Sequence, residues 1–301
     1  MNLSTLTTLL SLLKIPATVI LVLHAITFRI INFPENLLRF AVIWFIVLFV
    51  LEVILTTNTT IQSFKQIIST PYLCIKNKFK LLDVNTFVQK NRYILPFDGE
   101  WLVFNGGISK KSSHSWSIKS QKYAYDFIMI DYKGNSYKGS KKDPESYYCF
   151  AQNILAPADG IIVEVRENCS ESKIFGLGPI LDTYIKDIRG NYIVIQHEGG
   201  ECSTLAHLKK DSILVKVGQT VKQGSVIAQC GNTGNSSEPH LHFQVQTGKS
   251  FFFSVSAPVK FSNISTTISD SYENLYLRKI LADELNDGFL TRGVLVKSLE
   301  D

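Results

Sequence analysis

Residues 237–245, Ser-Glu-Pro-His-Leu-His-Phe-Gln-Val, decide how the whole sequence is interpreted. Successive side chains of a β-strand point to opposite faces, so His240 and His242 share one face and Leu241, Phe243 and Val245 share the other. The apolar face can pack in a core, while the opposite face presents two imidazoles about 7 Å apart. That pair suits one metal ligand and one proton-transfer group. A half-buried strand with two outward polar side chains is the plainer alternative.

The sequence around this strand has the character of a β domain. The loop 231–237, Gly-Asn-Thr-Gly-Asn-Ser-Ser, predicts a tight turn immediately before the strand. From Leu95 to about Phe261, short β-like runs alternate with Gly, Asn, Asp and Pro turns, which is typical of a compact all-β domain. We predict strands at Trp101–Phe104, Tyr123–Ile130, Asn153–Leu155, Gly160–Arg166, Asn191–His197, Cys202–His207, Val226–Cys230 and His240–Gln246.

The first 60 residues are much more apolar than the rest of the chain. The runs Leu6–Ile31 and Leu38–Leu55 are each near the roughly 20 residues needed to cross a bilayer. The connector 32–36, Asn-Phe-Pro-Glu-Asn, has turn chemistry, so we predict a two-helix transmembrane segment. A signal peptide followed by one anchor is the alternative, but the sequence has no charged n-region and no obvious small-residue cleavage site.

Charge and cysteine usage leave the compartment open. The net charge of +5 is too small to argue for a nucleic-acid partner. Arg29 and Arg39 flank the connector and favour a cytoplasmic loop, whereas the lysines that follow the second run favour the opposite topology. The five cysteines lack the close spacing of a metal motif and are compatible with pairing or with free buried thiols.

These composition changes predict four segments. A membrane anchor is expected at 1–60, a basic linker at 61–95, the β domain at 96–262 and a helical tail at 263–301. The tail is predicted to be helical because leucine and isoleucine residues recur at helical spacing between Tyr272 and Asn286.

Three further pieces accompany the His-Leu-His strand. His207 ends a predicted strand in Thr-Leu-Ala-His-Leu (204–208), and the turn Ala-Pro-Ala-Asp-Gly (156–160) opens another. Asp126 lies on a strand face that is otherwise apolar, where an unpaired carboxylate would be costly. Asp126 therefore needs a metal or a cation. Segments 156–162 and 215–224 also resemble the turn-strand units of hammerhead and duplicated-hybrid-motif folds.

The order of these pieces resembles the lysostaphin-type (β-lytic) zinc metalloendopeptidases over roughly residues 96–262. The resemblance implies an all-β domain of the duplicated-hybrid-motif or barrel-sandwich type, a Zn²⁺ cofactor, and a substrate in the peptide part of bacterial peptidoglycan. In that family, zinc is bound by the His and Asp of an early His-x-x-x-Asp motif and by the second His of His-x-His. Carried over, Asp126 and His242 are the zinc ligands, and His207 and His240 activate water and stabilise the oxyanion.

The sequence departs from the family pattern at one position. Lys122 stands four residues before Asp126, where the first histidine belongs, and a protonated lysine cannot ligate zinc. In one interpretation, His114 folds back as the missing ligand, since it lies twelve positions before Asp126, far enough for a loop to close. In the other, Lys122 pairs with Asp126, and the domain has lost its metal and binds without cleaving. An exposed loop position is the alternative for His114.

The leading hypothesis is a membrane-anchored zinc metalloendopeptidase of the bacterial cytoplasmic membrane, with its catalytic domain outside and acting on peptidoglycan. A metal-free scaffold that binds wall peptides or regulates another hydrolase is the alternative, and it rests on Lys122. A carrier or phosphotransfer domain is the least favoured, because it leaves the histidine and aspartate pattern unexplained.

Overall fold

The computed structural model describes residues 3–27, 33–55, 57–174, 187–273, 280, 285 and 288–299. These residues form three helices, α1 (Leu3–Thr27), α2 (Glu35–Leu55) and α3 (Thr57–Lys76), followed by strands. The described chain divides into two compact units, one built on residues up to Ser63 and the other on residues from Phe64 onward.

The N-terminal unit consists mainly of α1 and α2, which contact each other. Lys14 of α1 forms an ion pair with Glu52 of α2, and Trp44 Nε1 donates a hydrogen bond to the Leu13 carbonyl oxygen at 3.1 Å. The ion pair neutralises one charge from each of the two apolar helices. By length and composition, one described helix segment, Glu35–Ile54 with a mean hydropathy of 2.6, can cross a membrane, while α1 contributes a shorter apolar segment, Leu12–Ala25.

The second unit is built on antiparallel strands. In the described residues, ten strands form one sheet in the order β11-β12-β1-β2-β9-β6-β5-β4-β7, with β10 beside β9, and β3 pairs with β8 separately. The strands are β1 (Trp101–Asn105), β2 (Tyr125–Ile128), β3 (Asn153–Leu155), β4 (Gly160–Arg166), β5 (Asn191–Gln196), β6 (Cys202–Leu208), β7 (Thr220–Val221), β8 (Val226–Gln229), β9 (Leu241–Gln246), β10 (Ser256–Ala257), β11 (Ile264–Ile268) and β12 (Val294–Ser298).

The two faces of the central strands differ in chemistry. On β9, Leu241, Phe243 and Val245 join the main core cluster, whereas His242 and the glutamines that follow at two-residue spacing lie on the other face. This alternation is the one expected from the sequence. Apolar packing on one face therefore fixes which side chains the strand presents on the other.

The eight predicted strands are confirmed, with ends that differ by up to two residues. The sequence did not predict β7, β10, β11 or β12. Strands β7 and β10 have two residues each and give no periodic signal, and β11, Ile-Ser-Thr-Thr-Ile, is mostly polar and half exposed. The closed barrel-sandwich arrangement stays a prediction.

The helical tail at 263–301 is corrected by the structure. Strands β11 and β12 lie in this segment, and β12 pairs with β1, opposing Val296 to Trp101. Burial of Val296 and Trp101 against each other explains why the segment continues the sheet. The predicted helix Tyr272–Asn286 lies mostly outside the described residues.

The segment predicted as a linker at 61–95 begins as helix. Residues 61–76 belong to α3, whose Leu73 and Ser69 are buried. Thr70 Oγ1 also donates a hydrogen bond to the Ser117 carbonyl oxygen at 3.1 Å. The first part of the linker is therefore a packed element of the β unit.

Candidate metal centre

The site is built on three neighbouring strands. In the β2–β9 pair, Asp126 stands directly opposite His242, and in the β6–β9 pair Ala206 stands opposite the same histidine. His207 follows Ala206 in β6, and His240 immediately precedes β9. Sheet register therefore brings together side chains that are more than 100 residues apart in the sequence.

His114, Asp126 and His242 form a group that can bind a metal ion. Their ligand atoms lie within 4.8 Å of one another. His114 Nε2 is 3.2 Å from Asp126 Oδ2, and His242 Nδ1 is 3.0 Å from Asp126 Oδ1. Ligand atoms about 2.0–2.1 Å from a tetrahedral zinc ion are about 3.4 Å apart, so the spacing and the two-nitrogen, one-carboxylate set both fit zinc.

The charge of Asp126 is stabilised by its histidine neighbours. Burial opposes its ionisation, but the attraction and hydrogen bond of His114, with further contributions from His242 and His240, hold the pKa of Asp126 well below its usual value. Burial alone would lower the pKa of His114, yet Asp126 raises it overall. A buried carboxylate that attracts positive charge this strongly is suited to a cation.

A row of buried amides orients His242. Gln244 Nε2 donates to the Ser120 carbonyl oxygen at 3.1 Å and to Gln246 Oε1, so Gln244 Oε1 faces His242 Nε2 at 3.2 Å. Because Oε1 can only accept, His242 Nε2 carries a proton, and Nδ1 is the nitrogen that faces Asp126 and would bind a metal ion. Such an acceptor behind a ligating histidine fixes the tautomer that binds metal.

His207 and His240 form a second pair beside this group. Their ring centroids are 4.5 Å apart. His207 Nδ1 donates to the Thr233 carbonyl oxygen at 2.7 Å, and His240 Nδ1 donates to the Glu238 carbonyl oxygen at 2.8 Å. His207 therefore keeps an Nε2 lone pair that can take a proton, whereas His240 Nε2 lies 3.8 Å from Asp126 Oδ1. Burial, with nearby His240 and His242, holds the pKa of His207 well below its usual value, so His207 is neutral at physiological pH.

Close glycine packing positions the carbonyl that fixes His207. Gly190 and Gly234 have positive φ angles of 65° and 80°. A Cβ on Gly190 would lie 2.3 Å from the Thr233 backbone, and one on Gly234 would lie 2.2 Å from the Gly190 nitrogen. Glycine is therefore required at both positions for the two loops to approach. His207 itself has φ of 61°, an uncommon conformation that is kept by this surrounding packing.

Lys122 lies away from the carboxylate. Its Nζ is 4.0 Å from the centroid of the Trp116 ring and 4.5 Å from that of Tyr123. In the described part of the chain, the ion-pair partners of Asp126 are histidines. The position expected for the first family histidine thus packs on aromatic rings, and His114, in the loop between β1 and β2, stands beside Asp126 instead.

All five predicted site residues line one cavity of about 330 Å³. Sequence reasoning missed Gln244 and Gln246, although their spacing of two from His242 would have placed them on its face. It also missed Gln121, a wall residue that is 6% exposed and whose Nε2 has no hydrogen-bond partner in the described structure. No sequence pattern marks Gln121. His197, at the end of a predicted strand, lies outside the cavity, between the Asp159 carbonyl and Ser203.

Part of the chain matches a known peptidase family. Residues 148–252 match Peptidase family M23, a range that includes His207, His240 and His242 but not His114 or Asp126. A peptidoglycan DD-endopeptidase of Vibrio cholerae, ShyB, is 52% identical over 56 residues, which are 19% of this chain and 13% of ShyB. An uncharacterized metalloprotease of Buchnera aphidicola is 47% identical over 70 residues, 23% of this chain and 18% of the relative.

The murein hydrolase activator NlpD of Salmonella typhimurium is 33% identical over 143 residues, 47% of this chain and 32% of NlpD. The chain thus spans less than a third of the length of each of these three relatives.

Proposed function

We propose that this chain, which carries a lysostaphin-type M23 peptidase domain, is a membrane-anchored zinc metalloendopeptidase that hydrolyses peptide bonds in peptidoglycan. One observation carries the proposal. Three side chains that can bind a metal, His114, Asp126 and His242, share a cavity with His240 and with His207, whose Nδ1 is held by the Thr233 carbonyl so that Nε2 can take a proton. A domain that only binds peptide has no need of both a metal-binding group and a histidine pair for proton transfer.

His114, Asp126 and His242 would bind the zinc ion. Bound zinc with an open coordination position lowers the pKa of water to about 7 and polarises a carbonyl group. His207, neutral and oriented through Nδ1, accepts the proton of the attacking water at Nε2 and returns it to the leaving amine. His240 would stabilise the oxyanion by donating from a protonated Nε2, because its Nδ1 already donates to the Glu238 carbonyl oxygen. The unpaired Gln121 amide suits a substrate carbonyl, as expected for a site that binds peptide.

The substrate and the location are inferred from chemistry and from the relatives. The name of ShyB specifies peptidoglycan, which lies outside the cytoplasmic membrane. We therefore place the β unit on the extracytoplasmic side and interpret α1 and α2 as a two-helix membrane hairpin. The Lys14–Glu52 ion pair supports this interpretation, because it removes two charges from apolar helices.

A metal-free activator of another hydrolase is the second candidate. The NlpD relative, whose name specifies activation, is similar over a longer stretch than the ShyB relative. In a domain that had lost its metal, Lys122 would form an ion pair with Asp126. Lys122 packs on Trp116 instead, which favours the peptidase.

The test is to measure zinc content and cleavage together on the full chain in detergent micelles. We expect near-stoichiometric zinc in the purified chain. We also expect shorter peptides to be released from purified peptidoglycan, and mass spectrometry detects them. His242→Ala should lose both zinc and cleavage. His207→Ala is the matched control, since it should keep zinc and lose cleavage by roughly 10²–10⁴-fold.

Each outcome separates the candidates. Zinc without cleavage in the unmodified chain would contradict the peptidase. Absence of zinc after reconstitution, together with stimulation of a separate wall hydrolase that survives His242→Ala, would establish the activator.

A further inference from the structure

Helix α3 has a strongly apolar face that is exposed. Phe64, Ile67 and Ile75 are 62%, 71% and 68% exposed. At 100° per residue these side chains fall within one arc of the helix, and Ile68 extends the same arc at 48% exposure. Tyr72, at the edge of this arc, packs its ring against Phe253 of the β unit, with ring centroids 5.3 Å apart. Exposed apolar residues that are scattered singly are ordinary, but a contiguous face marks an interaction surface.

The opposite face of α3 is already occupied by the β unit. Leu73 and Ser69 are buried, Thr70 hydrogen-bonds to Ser117, and Gln66 reaches the wall of the candidate metal cavity. The exposed apolar arc points away from these contacts. One side of α3 therefore packs on the β unit, and its exposed apolar side needs a different partner.

Charge indicates what that partner is. Residues 57–80 contain four lysines and no Asp or Glu. Lys65 and Lys76 flank the apolar face, Lys78 and Lys80 follow the helix, and all four are exposed. An apolar face with lysines along its edge is the pattern of a helix that lies in the interface of an anionic bilayer.

Chain continuity points to the same partner. The candidate membrane span Glu35–Ile54 ends shortly before Thr57, the first residue of α3. If that span crosses a bilayer, the following residues emerge at the membrane surface, where an interfacial helix would begin. A partner protein would have to compete with lipid at this position.

We propose that α3 is an interfacial helix, with Phe64, Ile67 and Ile75 inserted at the boundary between headgroups and acyl chains of an anionic bilayer. The inference rests on the membrane anchoring in the proposed function. Because the opposite side of α3 contributes Gln66 to the cavity wall, insertion fixes the cavity close to the membrane surface. The enzyme would then act on membrane-proximal peptide and leave distant wall uncut.

The experiment uses the full chain in nanodiscs that contain phosphatidylglycerol. Ile67→Cys is labelled with an environment-sensitive fluorophore in a Cys74→Ala background, since the other four cysteines are buried. Val217→Cys in the same background is the matched control, because Val217 is also an exposed apolar side chain, at 60%. Lipids brominated on their acyl chains quench labels that lie at the interface, and iodide quenches labels in water.

We expect brominated lipid to lower emission from position 67 at least about twofold, consistent with a face buried roughly 5–10 Å deep, and to leave position 217 unchanged. Quenching at both positions would indicate non-specific adsorption and overturn the proposal. Protection of position 67 from iodide without lipid quenching would assign the face to a protein partner and also overturn it. Failure of the chain to elute with the discs would refute the anchoring itself, whereas elution with a water-exposed position 67 would refute the interfacial helix alone.

Discussion

Gln244 connects the candidate metal centre to backbone carbonyls in the interior. Its amide nitrogen donates to Ser120, so its oxygen is committed to His242 Nε2. Gln244→Leu removes that acceptor, and His242 can then carry its proton on Nδ1, the atom needed for metal. We expect zinc affinity to fall by roughly 10–100-fold. Nitrogen chemical shifts of labelled histidine in the metal-free chain should report directly whether His242 Nε2 keeps its proton.

Gln246→Leu is the matched control for this change. Gln246 is equally buried and belongs to the same row of amides, but it does not contact His242. It should cost stability without altering the tautomer or the zinc affinity. Equal losses of zinc affinity in the two variants would show that general loosening, and not the acceptor at Gln244, weakens the site.

His197 makes stability depend on pH. Burial lowers its pKa from 6.5, although the Asp159 carbonyl partly opposes the shift. At this histidine the folded state therefore binds fewer protons than the unfolded state. The contribution of neutral His197 to the free energy of unfolding is complete above about pH 6.5 and declines as the pH falls below that value. In His197→Asn, the fall in melting temperature between about pH 7 and pH 5 should be smaller. Parallel curves for the two proteins would contradict this assignment.

Strand β12 is required for the core of the β unit. Val296 opposes Trp101 across the β1–β12 pair, and both are fully buried. Val296→Ala removes two methyl groups, which should lower the free energy of unfolding by about 2 kcal/mol. Lys297→Ala, on the same strand but exposed, should change it by less than about 0.5 kcal/mol. Urea unfolding followed by tryptophan fluorescence measures both, and similar values would mean that the strand is peripheral.

The approach of the two site loops depends on Gly190. In Gly190→Ala, the new Cβ meets the Thr233 backbone, so the Thr233 carbonyl should move from His207 and cleavage should fall while zinc is retained. Gly218→Ala is the control for backbone strain alone, because Gly218 has φ of 88° and nothing within 4 Å of an added Cβ. If Gly218→Ala reduced cleavage equally, strain rather than loop displacement would be responsible.

Strands in which apolar and polar residues alternate strictly could be predicted from the sequence. Positions that depend on contacts with residues far away in the sequence could not. The face of His242 follows from Leu241 and Phe243, because period-two burial is a local property. The position of His114 is different: it sits in an irregular loop, and its proximity to Asp126 depends on how that loop folds over β2. Lys122 shows the same limit, since its aromatic neighbours, rather than its spacing from Asp126, decide where it lies.

At the scale of the whole molecule, metal should act on one unit and not on the other. All the proposed zinc ligands belong to the unit that begins at Phe64. Zinc at about 100 times its dissociation constant stabilises a folded site by about 2.7 kcal/mol, which corresponds to roughly 5–10 °C for a unit of this size. Chelation should lower the melting transition of the β unit by that amount, while the helical signal of α1 and α2 in micelles stays unchanged. In His242→Ala the chelator should have no effect on the β transition. A shift that persists in this variant would mean that the stabilising metal binds elsewhere, and the zinc assignment would then be wrong.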